Sequence, residues 1–539
     1  MPHHANATRS TGPETGARPP LNVGLLVDSL TQPRWVYDIV AAIQQSSCAR
    51  VALVVQNGAA EPNRGILRKL SRNRARLAYV LYTRIDDWLF RREPDAFTEV
   101  SIADLVDGVP TLNVAPVKKR FSDFFEPSDV SAIGAHNLDV ALRLGFRILR
   151  GDALRIARHG VWSYHHGDNL VNRGGPPGFW EVMQGEPVTG SVLQILNDEL
   201  DNGKVIYRSH APTDRRSVRR NQDNFYRKSV AFVMRKLNDL YNCGPAALEC
   251  DEHRDGYVPY SRPLYREPGN LETLRLTSRL ASRYVADKLK ELAWRDVENG
   301  FFIFVEELPF RTNKGHISVL DLAPSGQLRR VEPVLEQPHH LSYPFVFEWR
   351  GAHYMVPETG AARRIELYRA TDFPRGWQAE EVLMDGVYAV DATFAEIDGR
   401  WWMFANIAPD GTRNYDELHV FHAPGPHGPW RPHRRNPVKS DARCARPAGR
   451  LFWRNGDLYR PSQDCSGQYG AAIVINRVLE LNASEYRETA IARIEPKWAP
   501  DLLGAHTLNS APGISIVDVL VRRSRFARRQ RPVEYRTAM

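Results

Sequence analysis

The pattern of apolar and polar positions changes character once along the chain, near residue 300. Before that point, short apolar runs alternate with stretches whose apolar residues recur every three or four positions. Leu21-Asn-Val-Gly-Leu-Leu-Val27 reads as a strand, followed by helical spacing around Trp35–Ile43 and a second strand at Val51–Val55. Leu138–Leu144 predicts a third strand, Asp152–Arg158 a short helix, and Gly160-Val-Trp-Ser163 a fourth strand. Val218, Phe225, Val230, Phe232, Val233, Leu237 and Leu240 share one helical face, and the leucines between Leu271 and Leu292 predict a connecting helix. Strands alternating with helices argue for an open α/β sheet of Rossmann-like type, whose ligands gather at the carboxyl ends of strands.

Beyond residue 300 the texture becomes short β-like segments, tight turns and many aromatics. Gly351, Gly399 and Gly456 each sit between two aromatic-rich runs, which predicts three hairpins. A second element, Tyr368–Trp377, returns as Phe421–Trp430, 53 residues later. A period of about 50 residues is the spacing of β-propeller blades, giving four blades, or five if one strand comes from the connector. The expected organisation is a disordered lead-in over 1–20, an α/β domain over 21–265, a connecting helix over 266–299, a β-propeller over 300–505 and a basic tail over 506–539.

Length supports more than one core, because 539 residues exceed what a single hydrophobic core organises. No apolar run approaches a membrane span, and the polar first residues lack the apolar stretch of a secretory signal. Five cysteines without paired CxxC spacing indicate neither a disulfide framework nor a cysteine zinc site, so a reducing cytoplasm is expected. The net charge of +9 is concentrated. Seven arginines lie in the last 34 residues, and Arg64, Arg68, Lys69, Arg72, Arg74 and Arg76 fall in an acid-free stretch, 62–84. Without interleaved aromatics these patches do not suggest a nucleic-acid groove; solvated faces, or peripheral membrane contact through the tail, are the readings they leave.

Chemistry concentrates between Val161 and Arg208. There, Trp162-Ser-Tyr-His-His-Gly-Asp168 ends an apolar run, Arg173-Gly-Gly-Pro176 makes a rigid turn, and Leu200-Asp-Asn-Gly203 brings an acid 36 positions after His165. An imidazole charged and oriented by a carboxylate can stabilise an oxyanion and take a proton, which is what acyl transfer to an amine requires. His165, His166 and Asp168 crowd one loop too tightly for a persuasive metal site, and no metal is expected.

Together with Thr189-Gly190, these motifs in this order resemble the folate-dependent formyltransferases, which include the methionyl-tRNA, glycinamide ribonucleotide and sugar N-formyltransferases. The resemblance covers residues 21–265 loosely and Asp139–Arg208 closely. It implies 10-formyltetrahydrofolate as co-substrate and an Asn, His, Asp catalytic set. His165 and Asp201 match that set, while Ser163 stands where the family has its asparagine. Arg173, Gly174 and Asp198 are the candidate cofactor-binding residues, and His166 a candidate substrate contact.

His340-Leu-Ser-Tyr-Pro344, Val356-Pro-Glu358, Val390-Asp391, Arg443-Cys-Ala-Arg446 and Arg460-Pro-Ser-Gln-Asp464 recur about once per blade. They resemble the five-bladed domain of plant glucosamine inositolphosphorylceramide transferases and, more distantly, carbohydrate-active propeller enzymes. That resemblance implies Glu358, Asp391 and Asp464 on sugar hydroxyls or as an acid/base pair, and Arg443, Arg446 and Arg460 on a phosphate. Trp349, Trp401, Trp402 and Trp453 are expected in hairpin cores. The combined expectation is a formyltransferase-like enzyme acting on the amine of an amino sugar or glycoconjugate precursor, with no specific nucleic-acid partner. The alternative is a glycan-handling or carbohydrate-binding protein whose formyltransferase fold is silent. A DxD motif for nucleotide-sugar transfer does not stand out.

Overall fold

The computed structural model describes residues 18–59, 76–119, 121–198, 203–248, 265–283, 301–309, 311–323, 327–499, 501–511 and 514–521. Seven strands form the first sheet: β1 Leu21–Val27, β2 Ala49–Asn57, β3 Thr111–Val114, β4 Val140–Arg143, β5 Val161–His165, β6 Val188–Ile195 and β7 Lys204–Pro212. Their order is β7-β6-β5-β4-β1-β2-β3, with β1 to β5 parallel and β6 and β7 antiparallel at one edge. The chain leaves β1 in one direction through β2 and β3 and returns on its other side with β4 and β5. A topological switch point therefore lies between β1 and β4, where ligand crevices form in such sheets.

The helices are α1 Arg34–Gln45, α2 Leu77–Phe90, α3 Pro127–Gly134, α4 Phe179–Gln184, α5 Val218–Cys243 and α6 Asn270–Arg283. Val36, Ile39, Val40 and Ile43 of α1, with Phe232, Val233, Leu237 and Leu240 of α5, bury against Val23, Leu25, Val140, Leu142 and Trp162 on one face of the sheet. Ile133 of α3 helps cover the other face, formed by Leu26, Leu53, Val55 and Ala141. α5 starts at Ser217, whose hydroxyl accepts from the Arg220 N–H at 3.1 Å, a conventional N-cap.

Two expectations change in this half, and a third is met over part of its length. The helix expected at Asp152–Arg158 is a 3₁₀ turn over Gly151–Leu154. Left-handed Gly151 and Gly160 bracket the segment, and Ala153 and Ile156 are drawn from it into the core. β5 runs two residues past Ser163, so His165 ends the strand instead of following it. The connecting helix is observed as α6, docked on α2 and α4, and 284–299 lie outside the described residues.

The second half is mainly β. Its strands are β8 Phe301–Glu307, β9 His316–Leu322, β10 Leu328–Leu335, β11 Ser342–Trp349, β12 Ala352–Glu358, β13 Arg364–Asp372, β14 Arg375–Asp385, β15 Ala389–Ile397, β16 Arg400–Ile407, β17 Glu417–Ala423, β18 Phe452–Arg454, β19 Asp457–Asp464, β20 Ala472–Leu481, β21 Tyr486–Ile494, β22 Leu502–Ala511 and β23 Ile514–Val521. They make five successive antiparallel sheets, β8–β10, β11–β14, β15–β17 with two short edge strands, β18–β21 and β22–β23. The three hairpins expected from sequence are present at Arg350-Gly351, Asp398-Gly399 and Asn455-Gly456. Each has positive φ at both central residues, as type I′ turns require. Strand structure continues through β23, so 506–521, read as the start of a tail, pairs in a hairpin with Ile516 and Leu520 buried; 522–539 lie outside the described residues. Trp401 and Trp402 are buried as expected, but Trp453 is 58% exposed.

Polar contacts join the halves across β7 and α5. Arg235 grips Glu417 through two hydrogen bonds of 2.8 and 2.9 Å, Lys228 pairs with Asp416, and Arg413 pairs with Asp214. Ser209 meets Ser440 at 2.8 Å, and the Ala442 N–H donates to the His210 carbonyl at 3.1 Å.

Candidate functional site

The carboxyl ends of β4 and β5 gather the first group of residues. Ser163 and His165 are two apart on β5 and so share a face, and the register places Ser163 beside Arg143 of β4. Ser163 Oγ accepts from Arg143 Nε at 2.9 Å and donates to the Tyr164 carbonyl at 3.3 Å, so the hydroxyl is already committed. Arg143 also donates to the Arg147 carbonyl at 3.1 Å. A guanidinium therefore stands beside the position that the sequence comparison gives to an amide. His165 is buried with Nε2 2.9 Å from the Asn172 carbonyl, which makes Nε2 the protonated nitrogen and leaves Nδ1 the basic one in the neutral ring. Asp201 lies outside the described residues.

The loop after His165 is fixed by Asp168. Its carboxylate accepts from the Leu170 N–H at 3.0 Å, from Arg208 and from His210 Nε2 at 3.1 Å, the last two delivered side by side by β7. Burial pushes this carboxyl up, but His210 and Arg208 outweigh it and hold the pKa at about 2. The Thr189-Gly190 motif acquires a physical reason here. A Cβ on Gly190 would sit 2.5 Å from Asp168 Cβ and 2.6 Å from its backbone nitrogen, so only glycine lets the loop lie on β6. Arg143, Arg208 and His210 all escaped the sequence reading: buried polar residues on an edge strand carry no periodic signal, while Arg143, a charge ending an apolar strand, carried one that was not read.

The remaining candidates of this half are placed as follows. Arg173 Nε donates to the Asn169 carbonyl at 2.8 Å, and Gly174, with φ +99, lies against Tyr265 so closely that a Cβ would come within 2.4 Å of its carbonyl oxygen. Asp198 accepts from the Gly151 N–H at 3.2 Å. His166 faces away from His165, stacked on Tyr226 at 3.7 Å with Trp35 edge-on at 5.3 Å and Ser229 Oγ 3.2 Å from Nε2. Burial, with His165 adding to it, pulls its pKa down to about 3, so it is neutral at physiological pH.

The second group lies in the β half. Arg446 pairs with Asp391 through Nε and, at 3.2 Å, Nη2, and its guanidinium is 3.7 Å from Glu358. Gln463 donates to Asp391 at 2.8 Å, and Tyr469 stacks against Arg446 at 4.8 Å. Asp391 holds a left-handed backbone, φ 54, where β15 bulges. Burial pushes Glu358 up to about 8, and neighbouring Asp391 adds to the rise. An un-ionised acid thus sits beside a paired carboxylate, the arrangement that separates proton donor from acceptor. Asp464 and Arg443 join other partners: Asp464 pairs with Arg493 at 2.9 Å, and Arg443 with Asp441. Arg460 is fully buried against Glu488 at 2.7 Å. Among the described residues no cluster of His, Cys, Asp and Glu is arranged to hold a metal.

Residues 276–497 match the family model described as glucosamine inositolphosphorylceramide transferase 1, N-terminal. The glucosamine inositolphosphorylceramide transferase 1 of Oryza sativa subsp. japonica is 38% identical over 196 residues, which is 35% of this chain and 26% of the relative. The methionyl-tRNA formyltransferase of Chlorobium limicola is 28% identical over 120 residues, 22% of this chain and 37% of the relative. Among solved structures, glycinamide ribonucleotide transformylase 1 from Symbiobacterium toebii aligns over 43% of this chain and 86% of its own, at 16% identity and a TM-score of 0.25. A family 117 glycoside hydrolase from Zobellia galactanivorans aligns over 43% and 84%, at 12% identity and a TM-score of 0.31. The chain spans about a quarter of the length of the rice relative, and its matches fall in two different groups, a methionyl-tRNA formyltransferase and glucosamine inositolphosphorylceramide transferases.

Proposed function

We propose that the chain transfers a formyl group from 10-formyltetrahydrofolate to the amine of an amino sugar or glycoconjugate precursor, the β half acting as a five-bladed propeller that binds the acceptor. The observation that supports this most is the grouping of Arg143, Ser163 and His165 at the carboxyl ends of β4 and β5, beside the switch point. The donor set suits a formyl carbonyl: a guanidinium, and an imidazole that becomes a second donor at Nδ1 once it has taken the amine proton, offer the hydrogen bonds on which a developing oxyanion depends. Bound folate would supply the activated formyl group. His165, neutral, takes the amine proton through Nδ1, and Asp201 is expected to stabilise the imidazolium that forms. Ser163 holds the Arg143 guanidinium in place, and Arg143 takes the part of the absent asparagine.

Purified protein given 10-formyltetrahydrofolate and a panel of amino sugars is expected to release tetrahydrofolate. His165→Ala and Asp201→Asn abolish the release, and Arg143→Ala lowers kcat on the order of 100-fold with KM little changed. No turnover by the wild type on any panel member defeats the proposal.

A second reading rests on Glu358, un-ionised beside paired Asp391. In it the β half works on a glycosidic bond with Glu358 as the acid. Release of the leaving group from aryl glycosides, lost in Glu358→Gln and indifferent to His165→Ala, would select it.

A further inference from the structure

Which nitrogen of His165 can act as a base is decided behind the ring. In the neutral imidazole one nitrogen carries the proton, and Nδ1 is a base only while that proton stays on Nε2. The Asn172 carbonyl, accepting from Nε2 at 2.9 Å, makes that choice. Asn172 belongs to a turn that doubles back on the histidine: the N–H groups of Val171 and Asn172 donate to the Asp168 carbonyl at 2.8 and 2.6 Å. Gly167 leaves room for this return, since a Cβ there would stand 2.9 Å from His165 Nε2 and 3.3 Å from the Asn172 carbonyl oxygen. A loop carbonyl moves with its loop, so a fixed tautomer needs a rigid element to hold it.

α4 supplies that element. Glu181 is buried, and its Oε1 accepts from Asn172 Nδ2 at 2.9 Å. The helix beneath it is anchored on every side. Phe179, Trp180, Val182 and Met183 are all buried, Asn221 Nδ2 and Gln222 Nε2 of α5 donate to the Gly178 and Pro177 carbonyls at 3.1 and 2.9 Å, and Trp180 Nε1 donates to the Arg266 carbonyl at 3.1 Å. Two oxygens of the pair, Asn172 Oδ1 and Glu181 Oε2, are buried without a hydrogen-bond partner among the described residues. Burial pushes the Glu181 carboxyl up, and Glu186 and Asp168 add to the rise. An acid sealed in this way is a standing cost that an apolar side chain of similar size would not carry. What Glu181 adds in return is the acceptor that fixes Asn172.

We propose that Glu181, acting through Asn172, is a positioning residue for His165: it holds the carbonyl that keeps the ring proton on Nε2 and so leaves Nδ1 free for the amine proton. Its effect on turnover rests on His165 serving as the base of formyl transfer; its effect on the ring does not. In the full chain carrying nitrogen-15 histidine, the Nε2-bound proton of His165 is identified by its absence from His165→Gln. The wild type is expected to show one tautomer, protonated on Nε2. Glu181→Leu and Asn172→Ala are each expected to speed exchange of that proton with water by roughly tenfold, about the worth of one hydrogen bond. Each should also lower kcat on the order of 10- to 100-fold with both KM values unchanged, as a misplaced base does. Glu181→Gln keeps the acceptor and should match the wild type in both measurements, and Glu181→Leu should cost nothing further once Asn172→Ala is present. Where Glu181→Leu does not fold, Asn172→Ala carries the same comparison. Wild-type exchange in either folded variant overturns the proposal, as does a Glu181→Gln that behaves like Glu181→Leu. A rise in KM alone overturns it too, by making Glu181 a wall of the substrate pocket. If the wild type transfers no formyl group, the function proposed for the chain fails, while the exchange rates still decide whether Glu181 holds the ring.

Discussion

Two carboxyl groups in this chain are shifted in opposite directions, and each shift has a consequence for stability. Asp168 is held at about 2, below its ordinary 3.8. Its stabilising contribution is therefore complete above about pH 4 and is lost as pH falls through about 2, amounting to about 2 kcal/mol. Asp168→Asn is expected to lose on that order at pH 7 and to show a shallower acid decline in urea unfolding measured at stepped pH. Glu358 has the other sign. Raised from 4.5 to about 8, it contributes fully below about pH 4.5 and loses that contribution as pH rises through 8. Glu358→Gln keeps a hydrogen-bonding side chain that cannot ionise, so its melting temperature should fall less than the wild type's between pH 6 and pH 9. An equal fall in both proteins would mean that Glu358 is already ionised at neutral pH. Residue chemistry of this kind was only half legible in the sequence. Ser163 was read as a candidate and Arg143 was not, because what joins them is strand register, which no local pattern states.

Elements were legible where local chemistry alone decides them. The three hairpins in the β half could be placed because a type I′ turn demands positive φ at adjacent residues, and Gly at the second position answers that demand wherever the turn sits. β6 and β7 were missed for the converse reason. Their buried positions include Ser191, Gln194, Arg208 and His210, which serve neighbouring polar groups and break the apolar alternation that marks a strand. α2 was missed because its apolar stripe faces outward while tyrosines and a buried aspartate face in. Two glycines test the difference between turn and contact. Gly399 has φ +71 and open space around it, so Gly399→Ala costs only the strained backbone, about 1 kcal/mol in chemical denaturation, and spares activity. Gly190 has no strain to relieve, but its substituent would collide with Asp168. Gly190→Ala is expected to displace the 166–173 loop and to abolish turnover, even where the protein remains folded at 25 °C.

At the scale of the molecule, the question is whether the two halves behave as one. The contact between them rests on ion pairs: Lys228 with Asp416 is almost sealed from solvent, and Glu417 is buried beneath Arg235. Burying such charges yields little net stability, but breaking one pair is costly because the remaining charge has no water to turn to. The arrangement thus penalises separation more than it rewards contact. It also reaches the candidate site, since the loop carrying Asp441 and Ala442 lies along His210, whose ring holds Asp168. If the halves act together, calorimetry of the wild type should give one transition. Arg235→Met, which strands Glu417, should cost roughly 3–5 kcal/mol and split that transition in two, and adding Glu417→Leu should restore most of the loss. Two transitions already present in the wild type would show that the halves unfold independently, and the pairs across β7 and α5 would then be contacts of proximity with no coupling between the sites.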